Sequence, residues 1–235
     1  MTARGAGWAA LAIAAIASAS AAAGPAASPG PDAPPADLLS GDAAHGAAID
    51  PVFAHLKLER LGCKFSEEKH IALLARPLRS TGTIYFARDK GIARTTLTPR
   101  REQVVVTTTT LRIRSARRSE DIPLDKTKDL KAFALIFPTL LRGDRSELER
   151  AFEIGLYSKP GGKGGDGDWW ALAFTPKTES LRALIRRVVV FGKSADLVSL
   201  QVTEASGDTT DTRLTDVQKN ASVPDAEIAT AFGAP

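Results

Sequence analysis

Residues 162–167, Gly-Lys-Gly-Gly-Asp-Gly, spell the Gly-x-Gly-x-x-Gly pattern that brings a backbone turn up to a dinucleotide pyrophosphate. That chemistry needs a helix next. The chain instead continues into Trp169-Trp170-Ala171-Leu172-Ala173-Phe174, a strand by composition, so the glycines read as a hairpin tip. No Lys-Ser or Lys-Thr pair completes a phosphate loop there. His45, His55 and His70 fall in separate segments without metal-ligand spacing. Cys63, the only cysteine, has no obvious histidine partner and cannot form an intramolecular disulfide, which leaves a buried, inert thiol. Gly-x-Ser-x-Gly is absent, and the carboxylates cannot be paired into an acid and a base from sequence. These residues argue for a non-catalytic protein with no cofactor and no metal.

The elements carrying these residues point to export. Residues 1–23 have one positive charge, Arg4, an apolar stretch from Trp8 to Ala17 and small residues after it, the layout of a cleaved secretory signal peptide. The alternative, an uncleaved anchor, would rest on a segment rich in Ala, Ser, Gly and Pro that is only weakly apolar. Residues 24–47 read as a flexible Pro/Ala-rich tether, and 48–235 as one domain. No cysteine stands near the cleavage region to accept a lipid, so the mature chain is expected to be exported without a lipid tether, as a monomer. A formal net charge of +4 is no nucleic-acid footprint, and Arg112-Ile113-Arg114 with Arg117-Arg118 alternates like the outer face of a strand. With 43% hydrophobic residues, an apolar core can hold the domain without disulfides.

Within 48–235, Asp50-Pro51 starts a helix, with Asp50 as N-cap. Ile49, Val52, Phe53, Leu56 and Leu61 give it one apolar face, and Gly62 ends it. Five strand segments come after it: Lys64–Ile71, Thr83–Arg88, Ile92–Thr98, Glu102–Thr108 and Thr109–Ser115. Asp89-Lys90-Gly91 makes the second and third a hairpin, bracketed by Pro77 and Pro99. Leu124–Gly143 is helical, ending near Phe137 because Pro138 interrupts it, with a short turn closing at Gly143. Asp144 caps a further short helix. Strands resume at Phe152–Ser158, Trp169–Thr175, Ile185–Phe191, Leu197–Glu204 and Thr209–Val217, and a last helix is expected over Pro224–Phe232. Short strands without helical crossovers make an antiparallel meander of about ten strands.

A helical insertion in a meander buries its Phe and Leu face on the sheet's concave side and so becomes a lid. The fold class expected is mainly β (α+β): an incomplete, strongly curved antiparallel β-barrel with helices as a lid. Such a shape is a container for something greasy. Its candidate lining is Phe65, Ile84, Phe86, Val104 and Val106 from the first half, Phe133, Phe137 and Leu141 from the lid, and Trp170, Leu172, Val198 and Leu200 from the second half. The plain alternative is that these residues are core. Whether Tyr85 or its neighbours Ile84 and Phe86 face inward stays open, since a one-residue slip swaps the faces.

Phe65-Ser66-Glu67-Glu68-Lys69, Pro77-Leu78-Arg79-Ser80-Thr81-Gly82, Ile84-Tyr85-Phe86, Arg94-Thr95, Trp170-Ala171-Leu172 with Thr175-Pro176, and residues 204–209 succeed one another in an order and spacing that resemble the LolA-like periplasmic carriers of outer-membrane lipoproteins. The resemblance runs from about Ile49 to about Asp216. It implies a carrier that shields acyl chains of lipoproteins or related lipids. The cargo would come from an inner-membrane ABC transporter donor and pass to an outer-membrane receptor. It also implies a lid-latching arginine after the Gly-x-apolar-aromatic run, which is Arg88. The family usually has proline next, where this chain has Asp89, and a surface role for Arg88 is the alternative. A second function fits the same fold: a non-transporting periplasmic sensor or scaffold that binds a protein partner.

Overall fold

The computed structural model describes residues 33–126, 128–159 and 168–233. The signal peptide, residues 24–32 of the tether and the glycine pattern at 162–167 lie outside the described residues.

Eleven strands form a single antiparallel sheet in the order β6-β5-β4-β3-β2-β1-β11-β10-β9-β8-β7. Its first half is the meander β1 (Arg60–His70), β2 (Leu78–Ala87), β3 (Gly91–Thr98), β4 (Glu102–Val106), β5 (Thr110–Ser115) and β6 (Ser119–Pro123). The second is β7 (Phe152–Lys159), β8 (Trp169–Pro176), β9 (Ile185–Lys193), β10 (Asp196–Glu204) and β11 (Thr209–Lys219). Strand β11 returns to pair with β1, so the two chain halves meet at the middle of the sheet and the edges are β6 and β7. The barrel is open. All ten expected strands are present, and β6 is additional. It is short, carries Glu120 and Asp121 and ends at Pro123, features that make a poor template for further pairing.

Two glycines are set by geometry. Gly91 opens β3 at φ +110°, which the β2–β3 turn requires. At Gly82 a Cβ would run into the Thr95 carbonyl oxygen and the Phe65 ring, so the strands close up there only because no side chain exists.

The helices differ from expectation in instructive ways. Helix α1 covers only Asp50–His55, and Leu61 and Gly62 already belong to β1. The helix stops because the Leu58 amide donates to the Leu141 carbonyl, 2.9 Å away, rather than continuing the helical ladder. Asp50 is not the N-cap; Ile49 is, and the Asp50 carboxylate meets Arg145 instead. The segment after β6 forms two helices, α2 (Lys128–Ala134) and α3 (Ile136–Leu141), broken at Leu135. That break puts Pro138 in the first turn of α3, where its missing N–H has no helical partner to lose. Helix α4 (Arg145–Ala151) is capped as expected, the Asp144 carboxylate accepting from the Glu147 amide at 3.3 Å. A one-turn helix not foreseen, α5 (Glu179–Arg182), is capped by Thr178, and α6 (Asp225–Phe232) is present.

Helices α2–α4 connect β6 to β7, the two opposite edges, so they cross the concave face. The main apolar cluster joins Phe53, Phe133, Ile136, Leu140, Leu141 and Leu148 from the helices to side chains of β1, β2 and β7–β11. On the outer face, α6 packs with Tyr85, Ala87, Ala93 and Val105. Residues 33–47 are not a free tether: Leu38 is buried against Trp169, Ala171, Ala173 and Val189, and Ala44 exchanges two 2.8 Å backbone hydrogen bonds with Leu156 on edge strand β7.

Candidate functional site

The concave face is built by alternation. On β2, Ile84 and Phe86 point into the main cluster while Tyr85 lies on the α6 side, which settles the register. Of the expected lining, Phe65, Ile84, Phe86, Phe133, Leu141, Trp170 and Leu172 are buried in the main cluster, with Phe137 and Leu200 packed against it. Val104 and Val106 join a second cluster with Leu111, Ile113, Leu124 and Leu130, and Ile92 touches both. Val198 is misplaced by the sequence reading. A register shift between Leu197 and Ser199 sends Leu197, Leu200 and Val202 inward and turns Val198 to the outer cluster around Trp169. Strict alternation from Val198 through Val202 fails at that irregularity. Sequence reasoning also passed over Phe152, Ile154 and Phe174 on β7 and β8, although the same alternation that selected Trp170 and Leu172 would have found Phe174.

The lid is tied to the sheet by few polar contacts. Both terminal nitrogens of Arg88 donate to the Arg142 carbonyl at 3.4 Å, at the C-terminal end of α3. Arg88 Nε also lies 2.7 Å from Glu59 Oε1. The adjacent Leu141 carbonyl accepts from the Leu58 amide. Two carbonyls left over at a helix end are thus met by a cation and an amide. Arg88 occupies the rim, with 29% of its side chain exposed, rather than the interior. Arg142 beside it is pushed below the ordinary arginine range, first by burial and then, with Asp144 opposing, by the Arg88 charge. Arg145 supplies a further tie, from α4 to Asp50 at 2.5 Å and to the Gly46 carbonyl at 2.8 Å. Within α4 Arg145 also pairs with Glu149 at i+4, a local signal, while its partners outside the helix, Asp50 and Gly46, are distant in the chain.

At the other end of the concave face the lining turns ionic. Glu67, on the same face as Phe65, is buried and accepts from Ser80 Oγ at 3.1 Å and Thr212 Oγ1 at 2.9 Å. Arg94 Nη2 lies 2.9 Å from Glu67 Oε1, and its guanidinium stacks 4.3 Å from the centre of the Phe65 ring. Two residues on, Lys69 Nζ reaches Glu204 Oε1 at 2.6 Å, again buried. Alternation from Phe65 places Glu67 and Lys69 on the same inward face.

His45 Nδ1 lies 2.8 Å from the Ile154 carbonyl, His55 is exposed, and no group of three or more metal-ligating side chains occurs among the described residues. Cys63 is buried on β1, and burial pushes its thiol up to about 12 from an ordinary 9.0. Below pH 9 the thiol is protonated folded or unfolded; above it the unfolded chain ionises first, so stability falls as pH rises from 9 towards 12. Tyr85, raised to about 12 from 10.0 by burial and the Glu227 contact, adds a loss of the same sign starting one unit later. Cys63→Ala is therefore expected to flatten the decline between pH 9 and 10 in urea titrations. An unchanged slope would remove the assignment.

A family model described as outer membrane lipoprotein carrier protein LolA-like matches residues 38–234. Among solved structures, the chain is similar to a LolA superfamily protein from Nitrosomonas europaea at 12% identity, covering 78% of this chain and 97% of that one, TM-score 0.41. The Pseudomonas aeruginosa MucA/MucB complex matches at 13% identity over 80% of this chain and 62% of that one, TM-score 0.44. The Mycobacterium tuberculosis lipoprotein LppX matches at 8% identity over 77% and 99%, TM-score 0.39. A search of curated proteins found no match.

Proposed function

The chain belongs to the LolA-like family of outer membrane lipoprotein carrier proteins, and we propose that it is a periplasmic, non-catalytic carrier that takes acyl chains of lipoproteins or related lipids into the space now filled by its lid. The observation that carries this reading is the path of α2–α4. An apolar lid joined to opposite sheet edges, at Pro123–Leu124 and Ala151–Phe152, shares one buried cluster with the concave face.

The energetics suit reversible loading. An acyl chain of about 16 carbons gains on the order of 10 kcal/mol when withdrawn from water. Displacing the lid exposes Phe133, Ile136, Phe137, Leu140, Leu141 and Leu148, six side chains at roughly 1.5–3 kcal/mol each. The two quantities are of one size, so cargo and lid compete for one apolar face without either winning outright. A donor at the inner membrane, which in this family is an ABC transporter, and an outer-membrane receptor would then tip the balance at each end.

One observation favours the second reading, a scaffold or sensor that binds a protein partner: Phe86, Phe174, Leu140, Leu141 and Leu172 are fully buried against one another, a well-packed interior. Mass spectrometry of lipids extracted from the protein purified out of its expressing cells separates the two. Co-purifying acylated species are expected. A chain that stays empty, and takes up no acylated peptide when offered one in detergent, belongs to the scaffold reading.

A further inference from the structure

The end of the sheet opposite the Arg88 latch has an unusual surface. Strand register puts the β1–β2, β3–β4 and β5–β6 connections together there, because Lys69 pairs with Leu78, Thr96 with Glu102 and Arg114 with Ser119. At about 4.8 Å per strand, the three tips lie within roughly 20 Å. The large exposed apolar side chains of the described residues are all on two of them: Leu73 at 93% and Leu74 at 43% on the first, Leu97 at 47% beside the second. One exposed leucine is ordinary; three gathered at one end are not.

The charges around them are one-sided. Arg76, Arg100, Arg101 and Arg117 are exposed on these same tips, and their guanidinium groups make no ion pair among the described residues. Most acidic groups nearby are engaged: Glu68 with Arg79, Glu120 with Arg118, Glu204 with Lys69, and Asp208 accepting from the Ala72 amide, while Glu102 at the start of β4 is half-buried, its carboxyl raised by burial against the charges of Arg118 and Arg94. A cleft of about 260 Å³ lies between the β1–β2 tip and the β10–β11 turn, lined by Ile71, Leu74, Pro77 and Gly207.

Leucines that reach out between uncompensated arginines suit a surface with negative charge above hydrocarbon. We infer that this loop end docks on an anionic phospholipid bilayer, with Leu73 and Leu74 entering the headgroup–acyl boundary while Arg76, Arg100, Arg101 and Arg117 meet lipid phosphates. An acidic protein would satisfy the arginines but gives no reason for Leu73 to stand almost wholly in water. Because the lid latch is at the far end, docking leaves the lid free to move. The inference does not depend on what the concave face carries.

The test reads the loop itself. In the full chain, Leu73→Cys is labelled with an environment-sensitive fluorophore; Cys63, buried and protonated, stays unlabelled. Asp89→Cys, on the exposed turn at the opposite end, is the control. Phosphatidylcholine vesicles containing phosphatidylglycerol are expected to shift the Leu73 probe to the blue and leave the Asp89 probe unchanged. Arg100→Gln with Arg101→Gln should weaken that partition roughly 30-fold, and high salt should abolish it. A Leu73 probe that stays water-like, an equal shift with pure phosphatidylcholine, or an equal shift at Asp89 would each overturn the proposal. A response to an acidic partner protein but not to vesicles would overturn it as well.

Discussion

Glu67→Ala is expected to lower the stability of the domain by about 3–5 kcal/mol, the usual result of breaking a buried ion pair from one side. The side chain is 3% exposed, so solvent screening offers little relief. Its loss strips the acceptor from the Ser80 and Thr212 hydroxyls and takes the carboxylate away from Arg94, three partners supplied by β2, β11 and β3. Against a total stability of roughly 5–15 kcal/mol, that is a large fraction. Urea unfolding measures it. Replacing both Glu67 and Arg94 with leucine should recover most of the loss, since an apolar pair of similar volume is often as stable as a buried ion pair. A cost below about 1 kcal/mol for Glu67→Ala would mean that the cluster is wetter than its burial implies.

The strands were legible in the sequence because β-branched runs and turn residues are local signals. Val104-Val105-Val106 and the Asp89-Lys90-Gly91 turn need nothing distant to be read. Strand β6 was not legible: Ser-Glu-Asp-Ile-Pro is polar, and it is a strand only because β5 offers it an edge. Helix ends failed for the related reason that distant partners decide them. Leu58 leaves the α1 ladder for a carbonyl of α3, and Asp50 gives up capping for Arg145. The pairing of β1 with β11, which brings the two meanders into one sheet, has no local mark at all.

The apolar side of the candidate site was legible up to register. Alternation selected Ile84, Phe86, Trp170 and Leu172, which all lie in the main apolar cluster, and lost Val198 where the β10 register shifts. Its ionic side was not among the lining residues that the sequence singled out. Glu67 and Lys69 face inward on β1 since each meets a counter-charge from another strand, and such partners cannot be seen along the chain. Arg88 lies between these cases. Its contact with the lid was implied by the resemblance, while its place on the rim required coordinates.

Arg88→Leu is the substitution expected to change behaviour most while changing the fold least. The wild-type guanidinium donates to the Arg142 carbonyl through two long bonds of 3.4 Å from a side chain 29% exposed, so the latch is worth about 1 kcal/mol rather than the 1.5–3 of a buried charged hydrogen bond. Its removal also relieves Arg142 of a neighbouring like charge, which trims the loss further. A change of that size raises the open population of the lid about fivefold, read as faster hydrogen exchange at the α3 amides with little change in global unfolding. In a reconstituted system the effect on transfer should be far larger. With lid and acyl chain so evenly matched for one apolar face, weakening closure favours the loaded state and stalls release, so hand-over to the receptor is expected to fail while loading persists. Arg88→Lys, which keeps the charge but not the forked donors, should fall between. Unchanged exchange at α3 would remove the latch, and unchanged transfer with faster exchange would separate lid closure from cargo release.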